Sequence, residues 1–369
     1  MCCGIKGVNI IRNKNYDKKI NHFIHTTWIL AFIVSILTLT ACSDSEDSSN
    51  EGTIYPQQIA IVDAGSSGSR LYVYEIADNG KTVSQIFPSN ADEKKAAMGP
   101  ALSKVENTDA GVTEYLNTMA TKYTGKSDKE IPLYILATAG MRLQPEADTK
   151  QLYAKLNSHK ETINGLKLVS AMTISGQYEG LYAWISTNFT DKALNTTSQK
   201  GIIEVGGASM QVAFSTTSTL TPTYAQSVIT HPVYGNIYSR SCMGGVDVVY
   251  ASVEDKTQIP ETFNVPVEDV SSIVGNTQFY YRGTPLSVYS QGLTEHGGLD
   301  GFRAYLKQQE SDPYHTYFNT YYLTWLIEHT GLAGRATLPS FDTEWTEGAA
   351  IDIVVNKRQP EQYDYNLKK

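Results

Sequence analysis

The hydrophobic pattern changes period along the chain, and each change marks an element. QQIAIVDAGSSGSRLYVYEI at 57–76 opens on a continuous apolar run, turns through Gly and Ser, and continues with alternating character, which predicts two strands joined by a polar tip. Val112, Tyr115, Leu116 and Met119 then recur at helical spacing and predict a helix over 110–124. IPLYILATAGMRL at 131–143 reads as a buried strand running into a turn of small residues, and 149–158 as a second helix. KLVSAMTISGQYEGLYAWISTNF at 167–189 predicts a strand, a turn at Gly176 and a helix from about Glu179. GIIEVGGASMQVAFS at 201–215 repeats the opening theme of apolar strand, carboxylate, Gly/Ser turn and apolar strand. Two copies of that unit suggest two related α/β halves facing each other across a cleft. Beyond residue 250 the pattern weakens to a partly strand-like 279–293 and an aromatic-rich helix at 314–329. Tyr182, Trp184 and Trp325 are assigned to the core of their helices.

Composition places most of the chain among globular proteins. Of 369 residues, 41% are hydrophobic and 18% charged, which excludes general disorder. The net charge of −8 is the wrong sign for a protein whose main partner is nucleic acid. The amino-terminal 1–41 runs against that charge, with Lys6, Arg12, Lys14, Lys18 and Lys19 ahead of the apolar stretch Trp28 to Leu37. Such a stretch is shorter than the roughly 20 residues of a membrane-spanning helix and has a signal peptide layout. Leu39, Thr40, Ala41 and Cys42 resemble a bacterial lipobox, which implies a lipoprotein signal over 1–41, lipidation of Cys42 and a polar flexible tether over 42–55. The protein is thus expected on a bacterial membrane, facing the periplasm or at the cell surface. Cys242 is the one cysteine of the body, so no disulfide framework forms there, and without a CxxC partner it reads as a small packed residue. The histidines are scattered, and none pairs at zinc-ligand spacing in the mature chain.

The repeated unit carries chemistry. Asp63 followed by Gly65, Ser66, Ser67, Gly68, Ser69 and Arg70 sets a carboxylate beside successive backbone N–H groups and hydroxyls, which suits a phosphate together with a hydrated divalent cation. Glu204 with Gly206, Gly207, Ala208 and Ser209 supplies the same parts a second time. Glu179 stands near a helix start as a carboxylate able to act as base on water, and Thr138 ends a buried strand in a small-residue turn. Singly, each loop is also the pattern of a plain polar turn, the glutamate that of a helix cap and the threonine that of close packing. It is their occurrence together that favours a site.

These segments, in this order, resemble the conserved regions of the apyrase, or nucleoside triphosphate diphosphohydrolase, family: IVDAGSSGSRLYVYEI, LATAGMRL, ISGQYEGLYAWISTNF and IIEVGGASMQVAF, with YSRSCMGGVD at 238–247 and EWTEGAA at 344–350 similar to later motifs. The resemblance implies an α/β fold of the two-lobed actin-like, ribonuclease H type, with its active site in the interdomain cleft. Lobe I would span 56–172 with 340–355 returning to it, lobe II 173–339, and 356–369 would form a polar, frayed tail. It implies hydrolysis of the terminal phosphate of nucleoside tri- and diphosphates with Mg²⁺ or Ca²⁺, by a monomer. On the matching positions, Glu179 would be the general base, Thr138 and Gln211 polar groups near the attacking water, Asp63 and Glu204 holders of the hydrated metal, and the loop residues with Arg70 the phosphate cradle. Three departures stand out. Glu204 occupies a position where the family usually has Asp, Gly68 one where animal cell-surface members carry His, and Tyr178 one where an acidic residue precedes the base. Gly68 is closer to the Golgi and secreted members, which tend to prefer diphosphates. The alternatives are an exopolyphosphatase or guanosine pentaphosphate phosphatase, a sugar kinase or actin-like ATPase, and a surface lipoprotein that binds nucleotide without turnover.

Overall fold

The computed structural model describes residues 57–123, 125, 129–190, 199–217, 220–253, 260, 262–282, 295–297, 301, 314–332, 336–337 and 343–365. The signal segment, the lipidation site Cys42, the tether, residues 283–293 of the weak strand signal and the last four residues lie outside that range.

Thirteen strands are described: β1 (Gln57–Ala64), β2 (Ser69–Ala77), β3 (Thr82–Phe87), β4 (Met98–Gly99), β5 (Ile131–Ala137), β6 (Thr162–Ile163), β7 (Leu166–Thr173), β8 (Gly201–Val205), β9 (Met210–Ser215), β10 (Val228–His231), β11 (Gly235–Cys242), β12 (Phe279–Arg282) and β13 (Ala336–Thr337). The helices that matter here are α1 (Ala91–Ala96), α2 (Asp109–Ala120), α3 (Ala139–Arg142), α4 (Glu146–Ser158), α5 (Gly176–Thr190), α6 (Pro222–Ala225), α7 (Val246–Ser252), α8 (Tyr314–His329) and α9 (Trp345–Val354).

One sheet runs β3-β2-β1-β5-β7-β6, with β4 added to β2; the other runs β10-β11-β9-β8-β12-β13. In the first, β2 is antiparallel to β1 and to β3, whereas β1, β5 and β7 are parallel. In the second, β9 is antiparallel to β8 and to β11, whereas β8, β12 and β13 are parallel. The echo seen in the sequence is therefore a duplicated topology, two sheets that share the internal strand order 3-2-1-4-5. It is a mixed α/β architecture.

Side-chain alternation along β1 divides the core. Ala60, Val62 and Ala64 face a cluster with α2 and α4, while Ile59 and Ile61 face a second cluster containing α5 and α9. A third cluster sits on the far face of the second sheet under α8. Tyr182 and Trp184 are fully buried in the middle cluster and Trp325 is buried in the third, as their helical spacing predicts. The helices α5 and α9 cross closely, because a Cβ on Gly348 would overlap the carbonyl of Tyr182. His231 fastens β10 to α9: its Nδ1 accepts from the backbone N–H of Val233 and Tyr234, which leaves Nε2 to donate to Asp352 at 2.8 Å.

Several boundaries differ from expectation for identifiable reasons. Helix α5 begins at Gly176, three residues before Glu179, because Ser175 caps it: its Oγ accepts from the N–H of Tyr178 at 3.2 Å and its carbonyl from that of Glu179 at 3.1 Å. Helix α4 starts at Glu146, directly after Pro145, a residue type suited to helix entry. The polar end, expected to fray, docks instead over 356–365. Tyr363 donates its N–H to the Thr173 carbonyl at 2.7 Å, Gln362 bridges to Ile174, and the Tyr365 hydroxyl donates to the Met141 carbonyl at 3.2 Å. The buried Tyr365 ring and these paired backbone groups outweigh the polarity of the stretch.

Candidate active site

The alternation that divides the core also aims the polar residues. Asp63 is the next residue on the inner face after Ile59 and Ile61, and its antiparallel partner Arg70 lies on the same face as Tyr72 and Tyr74. Thr138 follows β5 in phase with Tyr134 and Leu136. In the second sheet, Glu204 shares the face of Ile202, and its partner Gln211 shares that of Ala213. Asp63 with Arg70 and Glu204 with Gln211 therefore occupy equivalent registers of two equivalent hairpins. Asp63 and Glu204 stand at the carboxyl ends of the parallel strands β1 and β8, where open α/β sheets bind ligands, and Arg70 and Gln211 face them from the start of the returning strands.

The carboxyl ends of the two sheets share a cleft of about 190 Å³ lined by Asp63, Gly65, Ser66, Ser67, Gly68, Arg70, Thr138, Glu179, Glu204, Gly206, Gly207, Ala208 and Ser209. One expected loop residue is missing from it. Ser69 is turned by the strand period to the outer face, where its hydroxyl pairs with that of Tyr115 at 2.8 Å in the core. Its side chain therefore does not belong to the phosphate cradle. Gln211 does not line the cleft either but stands behind Ser209, to whose Oγ its Nε2 donates at 2.8 Å.

The two loops are shaped by their supports. A Cβ on Gly140 would lie 2.7 Å from the Ser66 Cα and 3.1 Å from its nitrogen, so the first turn of α3 presses directly on the first loop. In the second loop, Gly206 donates to the Ser209 carbonyl at 2.9 Å, closing the turn. The Gly206 carbonyl accepts from Val246, and that of Gly207 from Asp247 and Val248, at 2.9, 2.9 and 3.1 Å. Because the N–H and C=O of a trans peptide point oppositely, the N–H groups of Gly207 and Ala208 are directed away from α7. A Cβ on Gly207 would overlap Asp247 Oδ2 and lie 3.0 Å from Ser66 Oγ, so the second loop is held between α7 and the first loop.

Glu179 is 7% exposed and Arg142 5%, and the Arg142 guanidinium donates through Nη2 to Glu179 Oε2. Burial raises the Glu179 carboxyl above its ordinary range, and Arg142, by charge and hydrogen bond, draws it back. Asp63 is held well above the usual carboxylate range, first by burial, then by repulsion from Glu179, Glu344 and Glu204, with partial relief from Arg70. Arg142 continues the network to Ser241 Oγ at 3.4 Å, which also accepts from Gln211 Nε2 at 3.1 Å.

Several contributors lie in segments recognised as motifs in the sequence, where these residues had no assigned role. Arg142 ends the ATAGMR segment, where a cation buried next to a strand–turn was the available signal. Glu344 and Trp345 close one side of the cleft from the start of α9, and Ser241 and Asp247 support the second loop from behind. Cys242, half-buried against the third core, is a packed residue as expected; burial pushes its thiol up to about 11, too high for a nucleophile. Among the described residues no three His, Cys, Asp or Glu gather as an inner metal shell. The donor set still suits a hard cation. Asp63 and Glu204 offer only oxygen to the same cleft, and the repulsion of Asp63 by Glu179, Glu344 and Glu204 is relieved by positive charge.

Comparison with known proteins gives a consistent neighbourhood. Residues 55–234 match the GDA1/CD39 (nucleoside phosphatase) family. The chain is 32% identical over 188 residues to mouse ectonucleoside triphosphate diphosphohydrolase 7, covering 42% of this chain and 30% of that protein. It is 28% identical over 252 residues to probable apyrase 3 of Arabidopsis thaliana, covering 65% and 51%. The chain thus spans from about a third to half of these relatives. Among solved structures, a Ppx/GppA protein of Aquifex aeolicus aligns with TM-score 0.48 and 12% identity over 83% of this chain and 100% of that one. A nucleoside triphosphate hydrolase of Neospora caninum aligns with TM-score 0.39 and 16% identity over 55% and 49%.

Proposed function

We propose, for a chain whose residues 55–234 form a GDA1/CD39 (nucleoside phosphatase) family domain, that the cleft hydrolyses the terminal phosphate of nucleoside tri- and diphosphates. The observation that carries this reading is a buried glutamate, Glu179, facing a cleft whose opposite walls are two phosphate-sized Gly/Ser loops. A cleft of that composition accepts a polyphosphate, since the loops present backbone N–H groups and hydroxyls to its oxygens.

In this reading Ser66, Ser67, Gly68 and Arg70 cradle the phosphates from one lobe, and Gly207, Ala208 and Ser209 from the other. The terminal phosphorus lies near Thr138 and Glu179. Glu179 orients a water and takes its proton on a carboxylate oxygen as the water oxygen bonds to phosphorus; the bridging P–O bond breaks in line and its electrons leave with the shortened nucleotide. No phosphoenzyme forms. Gln211 acts from behind the second loop, where its Nε2 donates to Ser209 Oγ at 2.8 Å and fixes that hydroxyl against the phosphate. Burial raises the Glu179 carboxyl, and the charge and hydrogen bond of Arg142 act against that rise and favour its ionised form.

Asp63 and Glu204 would hold Mg²⁺ or Ca²⁺ through water. When bound, the ion neutralises phosphate charge and stabilises the charge that develops in the transition state. The longer side chain of Glu204, one methylene beyond Asp, moves its carboxylate toward the cleft and sets the size of that water shell. The enzyme works outside the cytoplasm as a monomer tethered through lipid on Cys42.

Phosphate release by the purified full-length protein from ATP, ADP, UDP, GDP and polyphosphate, with Mg²⁺, Ca²⁺ or EDTA, tests the reading. Metal-dependent nucleotide turnover that disappears in Glu179→Gln supports it. Turnover of polyphosphate alone, or nucleotide binding without hydrolysis, overturns it in favour of the exopolyphosphatase or the binding protein.

A further inference from the structure

The wall formed by Glu179 and Arg142 has a second side. Glu179 lines the cleft between the loops, whereas Arg142 and Ser241 line a separate cavity of about 780 Å³ that no phosphate-loop residue touches. The barrier between them is one layer of side chains: Glu179, Arg142, Ser241 and Gln211, joined by hydrogen bonds.

The deep part of this cavity suits a small anion. Arg142 and Arg240, the latter also paired through Nη1 with Glu268 at 3.1 Å, bring two guanidinium groups to it, and Ser241 and the buried Ser227 add hydroxyls. Gly176 and Gln177, the first two residues of the 15-residue helix α5, also line it, so the positive end of that helix dipole faces the cavity. Gly176 is required there, since a Cβ would lie 2.6 Å from Arg142 Nη1. Arg142 meets the cavity-lining Ser241 through Nη1, whereas its Nη2 holds Glu179, so one guanidinium joins the two spaces. The rim has the opposite character, with Glu361 and Asp364 of the docked tail exposed at the mouth.

We propose that this cavity binds orthophosphate and is the route by which phosphate freed in the cleft leaves the protein. The exit rests on the hydrolysis proposed above; the anion site does not. In-line attack places the water and its base on the side of phosphorus opposite the leaving nucleotide. The freed phosphate is thus left against Glu179, with nucleotide still filling the way it entered. Once Glu179 has taken the water's proton it no longer holds Arg142 by charge, and the guanidinium is free to turn with the phosphate toward Arg240. The acidic rim makes the site weak, as an exit requires.

Two measurements on the full-length protein test this. Inorganic phosphate is titrated in EDTA, where the metal-dependent cleft contributes least, and single-turnover cleavage by rapid quench is compared with phosphate appearance from a fluorescent phosphate reporter. Arg240→Gln is expected to weaken phosphate binding about tenfold, the effect of losing one charge-assisted contact, and to delay phosphate appearance by a similar factor with cleavage within about twofold. Arg240→Lys should retain most of both, and Asp364→Asn, on the exposed rim, should tighten phosphate binding. Phosphate binding untouched by Arg240→Gln and Asp364→Asn overturns the site. Binding that responds while release keeps pace with cleavage overturns the exit and leaves a site for bulk phosphate. If the wild-type protein cleaves no nucleotide, the exit falls with the hydrolase reading, and the titration still decides the anion site.

Discussion

Replacing Arg142 by Met tests the link between the buried ion pair and the base. The substitution keeps much of the side-chain bulk but removes the charge and the hydrogen bond that draw the Glu179 carboxyl down, while burial, the largest influence raising it, remains. Removing one partner of a buried pair typically costs about 3–5 kcal/mol. The carboxyl responds by binding a proton rather than bearing that full amount as a stranded charge, and about 1.4 kcal/mol corresponds to one pH unit. The acid limb of kcat/KM is therefore expected to move upward by about two pH units, so that activity lost on the acid side returns as pH rises. Stability should follow the same proton. A carboxyl raised in the folded state above its unfolded value stabilises the fold below the unfolded value and loses that contribution as pH rises through the folded one, so the variant should melt higher at pH 5.5 than at pH 8. Phosphate release from pH 5 to 9.5, paired with thermal unfolding at the same pH values, gives both readings. Arg142→Lys, which keeps charge but not the planar fork, should restore part of the profile. A variant that stays folded and loses activity equally at every pH refutes the reasoning and assigns Arg142 a packing role.

Four further outcomes follow from the geometry. Gly140→Ala places a methyl 2.7 Å from the Ser66 backbone and should lower kcat/KM more than about tenfold, with a stability loss of about 1–3 kcal/mol in urea unfolding. Ser69→Ala removes the buried hydroxyl pair with Tyr115 and should cost about 1 kcal/mol of stability with KM for nucleotide within about twofold, whereas Ser66→Ala should raise KM. EDTA should abolish turnover reversibly, with Mg²⁺ or Ca²⁺ restoring it, and Glu204→Asp should change the relative activation by the two ions, read from phosphate release against metal concentration. Deleting 356–369 removes the contacts of Arg358, Tyr363 and Tyr365 with α5, β7 and α3, and should lower stability by roughly 2–4 kcal/mol and slow turnover, measured by urea unfolding and phosphate release.

The duplicated strand, carboxylate, turn and strand unit was legible because both of its signals are local. A run of apolar residues broken by Gly and Ser is written in consecutive positions, and so is the period of two that sends Asp63 and Glu204 to the inner face. That same period already implied the fate of Ser69, one step out of phase with Asp63 and Arg70 across the hairpin, yet a motif read as a block hides phase. Helix α5 was placed late because a cap is a single hydrogen bond, here Ser175 to Tyr178, and leaves no hydrophobic trace.

What the sequence determined by itself was thus the set of parts: two α/β halves, two Gly/Ser loops, two carboxylates at strand ends and a glutamate at a helix start. Only the tertiary structure decided how they meet. The Glu179–Arg142 pair joins residues 37 positions apart, the Arg142–Ser241 contact 99, and the Tyr365–Met141 contact 224. Such pairings are set by which sheet faces pack around α5 and α9, and that packing is a sum of many small, nondirectional burial terms with no signature at any one position. The second cavity is a product of the same packing, a space left where α3, α5, β11 and the docked end of the chain come together.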